Sequence, residues 1–96
     1  MANKEHLALL KQDAVRWLEW RRKNIQIKPD LSAASLIEAN LRGADLSNAN
    51  LIATEFGGAN LRECDLSGAN LRRTSLNYAN LIAANLSNAN LSNANL

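Results

Sequence analysis

The chain has 96 residues, a formal net charge of +2 and one cysteine, which excludes an internal disulfide and leaves one domain near the lower size limit for burying its own core. Apolar residues make up 47% but aromatics only 4%; much of the apolar content is alanine, which argues against a compact globule built on large side chains. No apolar run approaches the roughly 20 residues that span a bilayer and the N-terminus lacks the apolar core of a signal peptide, so a soluble cytoplasmic protein is the expectation.

The charge is unevenly placed. Residues 1–28 carry seven Lys/Arg against three acids, a net +4, and residues 29–96 carry four arginines against six acids, a net −2. Leu7, Leu10, Ala14, Trp17, Leu18 and Arg21 recur at helical spacing, with Lys11, Asp13, Arg16 and Glu19 largely opposite, and this predicts one helix over 4–23. Asn3 is the expected N-cap, and Glu5 favours the positive end of the helix. Arg21, Arg22 and Lys23 complement the carbonyl end as a solvated cluster, and Asn24 is expected to close it in the left-handed conformation. Pro29 then forbids helical continuation.

From Pro29 the pattern changes. Leu31, Leu36, Leu41, Leu46, Leu51, Phe56, Leu61, Leu66, Leu71, Leu76, Leu81, Leu86, Leu91 and Leu96 fall every five residues without a slip. Two places before each is a small residue, alanine in ten of fourteen cases, and just before each is Asn, Asp, Ser or Glu. Five residues turn an α-helix by about 500°, and on a strand an odd spacing alternates faces. Either would expose half the leucines. Burial of all of them requires each five-residue unit to form one side of a coil, with the large and small residues turned to the axis, which is a solenoid. A weaker period gives the number of sides: Arg42 matches Arg62, Asp45 matches Asp65, Ser47 matches Ser67 and Thr54 matches Thr74. Twenty residues per turn means four sides.

The unit A-(D/N)-L-x-x, as in Ala49-Asn50-Leu51, Ala69-Asn70-Leu71 and Ala89-Asn90-Leu91, resembles the pentapeptide repeat family over residues 29–96. The resemblance implies a right-handed quadrilateral β-helix, here of about 3.4 coils at the β-ladder spacing, and the segment 1–28 resembles the helical leader of short cyanobacterial members. The expected organisation is therefore a helical cap and connection over 1–28 and a repeat β-helix over 29–96. Leu10, Trp17 and Trp20 are the expected cap residues. The polar residue before each leucine is expected to bond backbone at the corners, in ladders such as Asn40, Asn60 and Asn80. Glu55 and Phe56 depart from the pattern and read as local repacking.

No chemistry-bearing constellation appears. His6, in the first helical turn, is expected at the surface, and Cys64, at a small inward position, reads as an inert filler. No nucleophile–base pair, metal-ligand spacing or phosphate loop is present, so neither an enzyme nor a cofactor nor a small-molecule substrate is expected, and nothing points to a membrane. Arg42 and Arg62 share one side while Arg72 and Arg73 lie opposite, so they form no single patch. The family's quinolone-resistance members resemble duplex DNA and bind gyrase, but duplex DNA carries one charge per roughly 1.7 Å, and six acids offset by four arginines, with Asp45 and Asp65 as one short row, fall short of that. Nucleic acid is not the expected partner. Outward apolar groups are Ile37, Ile52, Tyr78 and Ile82, with Tyr78 and Ile82 a weak side-on contact. The final coil lacks a cap, so Leu81, Leu86, Leu91 and Leu96 are the expected end-on interface, giving a homodimer or a contact with a second repeat chain. The expected role is a non-enzymatic interaction or assembly module; the alternatives are a side-on binder of the gyrase-inhibitor type and one segment of a split, longer solenoid.

Overall fold

The computed structural model describes every residue from Met1 to Leu96, with extents of 32 × 23 × 20 Å. The leader holds two helices, α1 (Lys4–Gln12) and α2 (Ala14–Lys23), where one was expected. Asp13 causes the break. Its backbone is extended and its carboxylate accepts from the Val15 N–H at 2.8 Å, so it ends α1 and N-caps α2. Such a side chain satisfies one of the orphan donors of a helix start, which repays the interruption of the ladder. Asn3 caps α1, accepting from the Glu5 and His6 N–H groups. Asn24 closes α2 by a different route from the one expected: its φ is −124°, outside the left-handed region, and its side-chain amide donates to the Trp20 carbonyl.

Beyond Pro29 the chain repeats one motif. The backbone pairs in isolated parallel bridges between residues twenty apart, from Asp30 with Asn50 and Ser35 with Glu55 to Ser75 with Asn95. No continuous strand develops, because two residues of every five are spent on a turn. The carbonyl of each large residue accepts from the small residue three places on, as Leu51 does from Thr54 at 3.1 Å. The second residue after the large one holds a positive φ, from 58° at Ala33 to 74° at Gly43. A single positive φ at the third place of a four-residue turn is the type II geometry.

Between coils the hydrogen bonds run both ways. The Leu51 N–H donates to the Asn70 carbonyl at 2.8 Å, and the Asn70 N–H returns to the Ala49 carbonyl at 2.9 Å. The polar residue before each leucine therefore occupies the flat, bridging position. Its side chain reaches forward into the turn: Asp45, Asn50, Asn60, Asp65 and Asn70 each accept from the N–H two residues on.

The interior is filled as the five-residue spacing requires. Leu31, Leu46, Leu51, Phe56, Leu61, Leu66 and Leu71 are fully buried, each contributing about 1.5–3 kcal/mol. The small positions hold three polar atoms, and each has a carbonyl: Thr54 Oγ1 donates to Leu31, Cys64 Sγ to Leu41 and Thr74 Oγ1 to Leu71, all at 2.8 Å. No helix is long and apolar enough to cross a membrane.

Candidate interaction surfaces

A solenoid offers two ends and four sides, and the two ends differ here. In the ladder, each bridging residue points both its N–H and its C=O toward the preceding coil. On the first coil those groups belong to residues 30, 35, 40 and 45, and no coil precedes them in this chain. The leader takes over at two places. The Asn3 N–H donates to the Asp30 carbonyl at 2.9 Å, and the Asp30 N–H donates to His6 Nδ1 at 2.9 Å. On the fourth side Trp17 Nε1 donates to the Asp45 carbonyl at 2.9 Å, while the Arg21 guanidinium reaches the Asp45 carboxylate at 3.3 Å and the Ser47 carbonyl at 2.7 Å.

His6 is therefore a docking group rather than a surface residue; its ring lies 4.7 Å from that of Trp20, which in turn stacks on Trp17 at 5.6 Å. Arg21 likewise leaves the solvated cluster to which the sequence assigned it, whereas Arg22 and Lys23 stay exposed. Trp17 and Leu10 are buried and Trp20 is half-buried against the core.

The charges at this junction are tuned by their partners. Burial works to raise the Asp45 carboxyl, but the Ser47 hydroxyl and amide, then Arg21, outweigh it and hold the group below the usual carboxylate value. Asp30 follows the same pattern, with Ser32 opposing the effect of burial. Burial pushes the Cys64 thiol up, away from the reactive thiolate.

At the other end no further coil follows within these 96 residues. Leu81, Leu86 and Leu91 are half-buried, and Leu96 is 76% exposed. Their mid-rod equivalents Leu61, Leu66 and Leu71 donate to the next coil, but the N–H groups of Leu81, Leu86 and Leu91 have no protein partner. This coil also lacks charged side chains: none follows Arg73.

The sides are less distinctive. Arg42 pairs with Glu63, with Nη2 2.6 Å from Oε1. Beside it the Arg62 Nε is buried without a partner. Arg72 and Arg73 are exposed and unpaired. Asp65 accepts from Ser67, and Glu55 is exposed beside the fully buried Phe56. Tyr78 is 96% exposed and Ile82 61%; Ile37 is exposed and Ile52 half-buried.

A family model of pentapeptide repeats matches residues 30–68 and 64–96. No curated protein matches the chain. Among solved structures, HetL, a pentapeptide repeat protein involved in heterocyst differentiation regulation from the cyanobacterium Nostoc sp. strain PCC 7120, is 45% identical, with a TM-score of 0.68 over 70% of this chain and 32% of its own. Rfr23, a pentapeptide repeat protein from the cyanobacterium Cyanothece 51142, is 32% identical, with a TM-score of 0.55 over 69% of this chain and 52% of its own. The chain thus spans about a third of HetL and about half of Rfr23.

Proposed function

Because the chain belongs to the pentapeptide repeat family, whose fold is the right-handed quadrilateral β-helix and whose members are generally interaction or structural modules rather than enzymes, we propose that it is a non-enzymatic assembly module of about 3.4 coils that self-associates through its final coil. One observation carries this reading: the last coil combines exposed leucine edges, unpaired ladder N–H groups and a lack of charged side chains.

Charge is the usual means of keeping an open β edge from pairing. Its absence removes the obstacle to docking like on like. A second copy also fits better than a charged partner, because a neutral surface offers no complementarity to an ionised one. The leader helices stand on the opposite end, so head-to-tail stacking of whole coils is obstructed. Tail-to-tail contact about a two-fold axis remains, and it closes as a dimer. The two final coils would then meet with their chains running in opposite senses. Twenty residues a side lies at the lower bound of stable interfaces, so the affinity expected is roughly micromolar.

The test is the solution mass by light scattering at concentrations of about 100 μM, beside Leu91→Arg. A dimeric wild type and a monomeric, folded variant support the reading. A monomeric wild type at that concentration overturns it in favour of a separate chain that completes the coil.

A further inference from the structure

The leader satisfies only part of the first coil's open edge. The N–H groups of Asn40 and Asp45 and the carbonyls of Asn40 and Arg42 have no protein partner. One coil later the same positions are fully paired: Asn60 N–H to Ala39, Asn60 carbonyl from Leu41, Arg62 carbonyl from Gly43, and Asp65 N–H to Ala44. The unpaired third side runs beneath the break between α1 and α2. There the helices stand off and leave a cleft of about 320 Å³ over residues 40–45. Its inner wall is Leu10, Trp17 and Leu41; its lips are Val15 and Leu18, large aliphatics left 62% and 41% exposed. A Cβ built on Gly43 would meet nothing within 4 Å, so the floor is open as well.

We propose that this cleft binds a short peptide segment that pairs along the edge in the conformation of one pentapeptide side, turn included, the peptide replacing one of the two sides of a preceding coil that the leader leaves out. The edge specifies the ligand. The Asn40 and Asp45 N–H groups call for two peptide carbonyls, and the Asn40 and Arg42 carbonyls call for two peptide N–H groups, at the spacing of one pentapeptide side. Main-chain bonds of this kind give affinity, and pockets for alternate side chains give specificity. The apolar wall selects one branched aliphatic side chain, flanked by small residues where the helices crowd the edge. Six residues of the form small–polar–aliphatic–polar–polar–small span all four groups. A whole coil cannot enter, because α1 and α2 occupy the rest of the face, so the site is distinct from the tail-to-tail contact and does not depend on it.

The probe is the uncharged peptide acetyl-Ala-Asn-Leu-Ser-Asn-Ala-amide, titrated into the ¹⁵N-labelled full chain, with amide hydrogen exchange measured at the highest concentration. The expected result is that the Asn40 and Asp45 amides shift and exchange at least about tenfold more slowly. The same peptide with serine in place of leucine should leave them unmoved. The double variant Val15→Glu/Leu18→Glu should lose the response while keeping its helical circular dichroism. No shift at about 1 mM peptide, shifts confined to Leu81, Leu86 and Leu91, or equal binding of the serine peptide would each overturn the proposal.

Discussion

Ten residues other than glycine hold a φ near +60°, and each is the second after a large inward residue. An L side chain there meets the following carbonyl at a cost of roughly 1–2 kcal/mol, which the ladder on either side must offset. Ala53, at φ 59° in the middle of the rod, is exposed. Ala53→Gly should therefore raise stability by up to about 1 kcal/mol, part of the relief being returned through the freer unfolded chain; thermal denaturation measures it. Gly43→Val tests the same term in reverse. With nothing within 4 Å of the added Cβ, its expected loss of about 1–2 kcal/mol is conformational alone. The rule is visible in composition at one register: Gly43, Asn48, Gly58, Gly68, Asn88 and Asn93 all share it, and they are the residues that tolerate a positive φ best. The inward leucines were legible because period five has only one geometry that buries them all. Leu66, fully buried, is the test: Leu66→Arg places an unpaired charge in the core and should abolish the cooperative melt.

At the scale of elements, the leader was the least legible part. Helical spacing identified its apolar face, yet a continuous pattern hides a break whenever the interrupting residue lies on the polar side, as Asp13 does. The docking roles of His6 and Arg21 depend on positions 24 residues or more away in the chain, at Asp30, Asp45 and Ser47, and no local pattern reports that. The latch has a pH signature. Asp45 is depressed in the folded state, so its contribution is complete above the unfolded value of about 3.9 and is lost as pH falls through the lower folded value. Asp30 acts in the same direction. Tryptophan fluorescence, which reports Trp17 and Trp20 at the junction, should show this carboxylate-linked loosening only below about pH 4. Asp45→Asn should flatten part of that acid transition, leaving the share of Asp30. Arg21→Ala should loosen the leader at neutral pH by about 1–2 kcal/mol, because its bonds to Asp45 and Ser47 are partly buried.

For the whole molecule, the five- and twenty-residue periods determine the architecture, but the ends determine what it does. A repeat protein is stabilised by nearest-neighbour contacts between coils, so a coil lacking a neighbour on one face is its weakest unit. The first coil has the leader to supply Trp17, Arg21, His6 and Asn3. The last coil has only the coil beneath it, and its leucines show the difference: Leu71 is fully buried and Leu91 half-buried. If a second copy supplies the missing neighbour, folding and association are linked. Mass action then requires that dimer formation stabilise the native state, so the melting temperature must rise with protein concentration. For a dimer of roughly micromolar affinity, raising the concentration from about 1 to 100 μM should add on the order of 2 kcal/mol, a shift of roughly 8–16 °C for a domain of this size. Leu91→Arg keeps the leader and the mid-rod core but places a charge on the face that must self-pair. Its melting temperature should be lower at high concentration and independent of concentration throughout. A concentration-independent wild type would mean that the final coil is stable without a second copy, and the absence of charged side chains after Arg73 would then need another explanation.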